Sequence, residues 1–154
     1  MTAISSRPDC GKVSIEENHI IWKIDKEILL DLDISRVVAL GEYTTIHALH
    51  RNEWFIVLIY NEDETYQISA YAEGMQQALE QMSELLNYEI SVQLGLKTDF
   101  SSNVLWPPQL DGMELYELRV IESKTFFDRF RARLGFGNLL ELVLNSKLRE
   151  VIQG

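Results

Sequence analysis

Hydrophobic and polar positions along the chain follow two periods. Residues 53–60, EWFIVLIY, carry aromatic and β-branched side chains on both faces. That composition fits a strand with neighbours on either side, so the segment is expected in the middle of a sheet. After the polar turn at 61–64, residues 65–71 alternate, with Tyr66, Ile68 and Ala70 on one side and Gln67 and Ser69 on the other. Together the two runs predict a β-hairpin. Upstream, HIIWKI at 19–24 predicts a short strand, and KEILLDLD at 26–33 fits a strand or one helical turn. Residues 35–45 begin with β-branched residues and predict another strand. Gly41 near its end suggests a bulge or a close backbone approach.

The period then changes. Over 73–87, apolar residues recur at Met75, Ala78, Leu79, Met82, Leu85 and Leu86, which is one face of a helix. Asn87 suits its C-terminal stop. Alternation returns at 88–96, a predicted strand; 97–112 reads as a loop around LWPPQLDG, and 113–121 as a further strand. Thr125 with Asp128 can start a helix that Gly135 ends. Asn138 followed by Glu141 can start a second, LLELVLNSKLREVI. The expected fold class is α+β: a mostly antiparallel sheet of about six strands, one internal amphipathic helix and a helical C-terminus, with the helices on one face. Residues 1–11 read as a loose arm and 12–154 as a single domain.

Composition adds limits. Of 154 residues, 46% are hydrophobic and 25% charged, a globular rather than disordered balance. No apolar run has the length needed to span a bilayer, and the first residues lack the apolar stretch of a secretory signal. Cys10 is the single cysteine, so no intrachain disulfide can form. A cytoplasmic location is the simplest expectation. The net charge is −10, divided as −6 over 1–70, −7 over 71–123 and +3 over 124–154. Such a chain is repelled by nucleic-acid backbones and attracts basic partners.

Candidate chemistry is sparse. Phosphate loops, nucleophile elbows and paired CxxC motifs are missing from the sequence, and no cofactor is expected. His47 and His50 lie three apart, between Glu42 and Glu53. Imidazoles beside carboxylates are metal-ligand chemistry, but these two face one way only on a helical turn, and nothing else completes a ligand set. Glu42, between Gly41 and Tyr43, is either a general acid or base or a surface glutamate at a strand end.

Aromatics and the C-terminal charge reversal carry more. Trp22 and Trp54 fall in predicted strands and are expected in the core. Trp106 precedes Pro107 and Pro108, where it either plugs a loop or anchors a partner. On an ideal helix wheel, Phe126, Phe127, Phe130 and Leu134 share an arc of about 100°, with Arg129, Arg131 and Arg133 on its borders. That pattern fits docking on the chain's own acidic body better than a membrane surface. The last predicted helix has a broader apolar band, including Leu144, Leu148 and Val151, wide enough for a partner or a second copy.

The functional expectation is a non-catalytic protein-interaction module, either an adaptor or an acidic inhibitor or immunity-type protein. Its expected contacts are Trp106, Arg129, Arg131, Arg133, Leu144, Leu148 and Val151. A small-molecule or metal-dependent enzyme built on Glu42, His47, His50 and Glu53 is the alternative.

Overall fold

A computed structural model of the chain describes residue 4 and residues 6–45, 53–95, 97, 99–120 and 140–153. The expected helix over 125–135 lies outside the described residues, as do His47, His50, Arg129, Arg131 and Arg133. The fold is α+β, as expected, with nine strands among the described residues rather than about six.

Three strands form a first antiparallel sheet in the order β1–β2–β3: β1 (Lys12–Glu16), β2 (His19–Ile24) and β3 (Glu27–Asp33). The β1–β2 turn places Glu17 and Asn18 at φ 49° and 68°, the left-handed geometry of a two-residue hairpin turn. The ambiguous 26–33 segment is a strand, because Ile20 and Trp22 of β2 pair with Leu32 and Leu30.

A second sheet has the order β6–β5–β4–β7, from β4 (Ala39–Thr44), β5 (Trp54–Asn61), β6 (Glu64–Ser69) and β7 (Ser101–Trp106). All its pairs are antiparallel. β5 is central, as its two apolar faces require, and β5–β6 is the expected hairpin. β7 falls where the sequence suggests a loop. The proline pair disguises it: Pro107 and Pro108 follow the strand's last residue and terminate it rather than exclude it. Conversely, 88–95 is not the expected strand. The Ile90 N–H donates to Ser83 Oγ and those of Gln93 and Leu94 donate to a side-chain carboxylate, not to a neighbouring strand.

Between β6 and β7 lies α1 (Met75–Leu86), which buries Met75, Ala78, Leu79 and Met82. Asn87 ends it in the left-handed conformation, its N–H reaching the Ser83 and Glu84 carbonyls. The last elements are β8 (Tyr116–Val120), β9 (Leu140–Leu144) and α2 (Ser146–Gln153). β9 occupies the first part of the predicted final helix. It pairs antiparallel with β8, from Tyr116 opposite Leu144 to Val120 opposite Leu140. The broad apolar band on the helix wheel therefore comes from joining a strand of period two to a helix of period 3.6.

The four-stranded sheet separates two apolar cores. Leu40, Trp54, Ile56 and Leu58 face the larger core, which α1 and residues of β1–β3 cover. Ala39, Val57, Ile59 and Val104 face the smaller one, with Leu115, Leu144 and Leu148. Helices thus lie on both faces of this sheet rather than one. No helix among the described residues is long and apolar enough to cross a membrane.

Gly41 fits both expectations for it. The β4–β7 register shifts between Leu40 and Gly41, and a Cβ there would sit 2.7 Å from Leu115 Cδ2. Leu115 is fully buried and has little room to retreat. Gly41→Ala is expected to lower unfolding free energy by about 1–3 kcal/mol through overpacking. In a Leu115→Ala background, urea titration should find most of that penalty gone.

Candidate functional site

Alternation along β4 puts Leu40, Glu42 and Thr44 on the face toward the larger core. Glu42 is therefore not a surface glutamate; its exposure is 0%. Its carboxylate accepts four hydrogen bonds, two on each oxygen. Trp54 Nε1 and the Leu94 N–H donate to Oε1, both at 3.1 Å. The Gln93 N–H and Asn103 Nδ2 donate to Oε2 at 2.7 and 3.0 Å. An ionised carboxylate has about four acceptor sites, and all are filled. Burial pushes the Glu42 carboxyl above its ordinary value, against the downward pull of Asn103, Gln93, Leu94 and Trp54.

This saturation bears on the catalytic candidate. A general acid or base needs an open position toward substrate. Glu42 spends its acceptors on its own chain, which makes it an organising group. Glu53 is half-buried and accepts a hydrogen bond from the Thr45 hydroxyl. Among the described residues, no group of three or more metal-ligating side chains converges.

Three residues touching Glu42, namely Gln93, Leu94 and Asn103, also line an open cleft of about 750 Å³. Phe100 and Tyr116 supply aromatic surface, and Phe100 is 42% exposed. Tyr43 ties these rings together, with ring centroids 6.5 Å from Phe100 and 5.5 Å from Tyr116, the latter edge-on. Asp111, Glu114 and Glu117 line the same cleft, and among the described lining residues Lys97 is the one cation. Asp111 accepts from the Tyr88 hydroxyl at 2.6 Å, and Glu117 pairs with Arg149 at 3.2 Å. Burial pushes the Tyr116 phenol well up, with Tyr43 adding to it, so the ring stays neutral. Ser102 Oγ accepts the N–H groups of Leu115 and Tyr116 and fixes that wall.

The other expected contact residues are dispersed. Trp106 ends β7, half-buried and packed against the larger core. Leu144 and Leu148 are buried in the smaller core, while Val151 is 39% exposed. Trp54 is core, as expected; Trp22 is half-buried and donates Nε1–H to the Cys10 carbonyl at 2.8 Å. Sequence reasoning missed the cleft, since its walls come from the supposed loop and the strand after it. The clustering of Phe100, Asp111, Glu114 and Tyr116 around that loop was the available signal.

No protein-family model matches the chain, and neither curated proteins nor solved structures provide a match.

Replacing Glu42 tests its organising role. Glu42→Gln places an amide donor against two existing donors and should destabilise the fold by on the order of 3 kcal/mol. The folded state holds the Glu42 proton more tightly than the unfolded state. The proton-linked part of its contribution is thus fully present below about pH 4.5 and is lost as pH rises through the raised folded value, because the buried charge costs more in the folded state than in the unfolded one. Denaturant titrations across pH should find the gap between the parent and Glu42→Gln widest at the acid end.

Proposed function

We propose that this protein is a non-catalytic protein-interaction module that binds a basic segment of another protein, as an adaptor or inhibitor-type protein does. The observation that carries this reading is the cleft beside Glu42, whose described lining residues include two aromatic rings and three carboxylates, one of them paired with Arg149, against one lysine. Aromatic faces attract cations, and carboxylates accept charge-assisted hydrogen bonds from arginine or lysine. The net charge of −10 adds long-range attraction for such a partner.

The rigidity of the cleft supports the same reading. Glu42 fixes Gln93, Leu94 and Asn103, and Ser102 fixes the backbone at Tyr116, so little ordering is left to occur on binding. Self-association through the C-terminal helix has less to draw on, because Leu144 and Leu148 are already covered by their own core. A cytoplasmic location suits a chain with one buried cysteine, Cys10, and is part of the proposal.

Calorimetry with an arginine- and lysine-rich peptide tests the proposal. Binding is expected at low salt and should weaken as salt rises. Phe100→Ala and Glu114→Gln should each weaken it by about fivefold, in the range of ordinary interface contacts. Failure to bind any basic peptide at low salt would sink the reading.

A further inference from the structure

β3 is the outer strand of the three-stranded sheet, and its far edge has no strand partner among the described residues. It carries two exposed apolar side chains, Ile28 at 55% and Leu29 at 39%. They are neighbours in sequence, which in a regular strand would put them on opposite faces. The cross-strand register explains their shared exposure. Trp22 pairs with Leu30 and Lys23 with Ile28, so Leu29 is the extra residue of a bulge. A bulge re-aims a side chain, and this one brings a second apolar group to the solvent side. Edges are commonly blunted by bulges and charges; here the bulge adds apolar surface instead of hiding it.

We infer that the β3 edge is a docking surface for an extended basic segment of a partner protein, which adds to the sheet as a fourth strand. The charge of the edge selects the occupant. β3 holds Glu27, Asp31 and Asp33 and no cation, and Asp25 precedes it. Lys26 lies in the turn before β3, Lys23 of β2 sits opposite Ile28, Arg36 follows beyond Asp33, and His19 of β2 bonds Asp31 at 2.7 Å, so the cations lie beside the strand and not on it. A second copy fits badly. Antiparallel self-pairing centred on Leu30 sets Glu27 against Asp33, and parallel self-pairing sets like carboxylates side by side. A segment alternating lysine or arginine with apolar residues satisfies both features. Its cations meet Glu27 and Asp31, its long stems lie over Ile28 and Leu29, and its backbone completes the open ladder. This inference rests on the reading of the protein as a module for basic partners and names where the strand is taken up.

The test uses two labelled peptides on the full chain by fluorescence polarisation: acetyl-Lys-Val-Lys-Ile-Lys-Val-amide, and the same peptide N-methylated at alternate backbone positions. Both carry the same charge, but only the first can extend a sheet. The parent should bind the first about tenfold more tightly than the second. The Ile28→Lys/Leu29→Lys variant should lose that preference, while Leu85→Lys, a matched change at an exposed apolar residue of α1, keeps it; a Phe100→Ala/Glu114→Gln variant reports separately on the cleft. Both substitutions at β3 are on exposed side chains, and circular dichroism verifies that the fold is kept. Equal binding of the two peptides, or unaltered preference in the β3 variant, overturns the edge as the site. If binding is lost only in the Phe100/Glu114 variant, the cleft is the site: the β3 inference falls and the module reading stands. If neither peptide binds, both fall. A parent dimer that the β3 variant dissociates, seen by sedimentation, makes a second copy the occupant and overturns the inference.

Discussion

The carboxylate of Glu42 sits fully buried with no ion pair among the described residues, and the geometry around it depends on its four donors. An unsolvated carboxylate left bare in an apolar interior is strongly unfavourable, so each donor is held in place by the others. Those donors come from three places: Trp54 at the start of β5, Asn103 in β7, and the backbone of 93–94. The carboxylate thereby joins a central strand, an edge strand and a segment that has no ladder of its own. Its surroundings are as specific as its bonds, since Trp54 also packs edge-on against Tyr71, with ring centroids 5.5 Å apart.

Glu42 reaches the surface through the groups it binds. Gln93, Leu94 and Asn103 face the carboxylate on one side and the cleft on the other. On the opposite face of the same sheet, Gly41 lets Leu115 approach, and Leu115 leads directly into Tyr116 and β8. Two adjacent residues of β4 therefore set the two walls of one cleft, one by attracting donors and the other by lacking a side chain. The cleft is a product of the sheet's two faces meeting at its β7 edge.

Much of this fold was readable in the sequence where one period governed a whole element. β2, β5, β6 and α1 were of that kind, and Asn87 marked the end of α1 by its own backbone preference. The errors occurred where distant partners decided. β7 is a strand because β4 pairs with it, and β9 because β8 does. Neither partner is visible in a local window, and leucine-rich LELVL favours a helix by propensity alone. Residues 88–95 alternate like a strand, yet their donors meet the Glu42 carboxylate and the Ser83 hydroxyl. The burial of Glu42 was partly legible, since alternation places it on the same face as Leu40. Its donors were not, because Asn103 and the 93–94 amides gain meaning only when the chain closes.

That closure imposes an order on the growing chain. The β1–β2–β3 meander and the β5–β6 hairpin join near neighbours, whereas β4–β7 joins Leu40 to Trp106. Loop-closing entropy makes such distant pairings the late and slow ones. A nascent chain that has emerged only as far as α1 can offer Glu42 the Trp54 indole and none of its other three donors. A carboxylate lacking three of its four donors is costly to strip of water, so the larger core is expected to seal only when they arrive. The last side chain to arrive in this set, Asn103, is thus the one whose emergence lets the interior become dry.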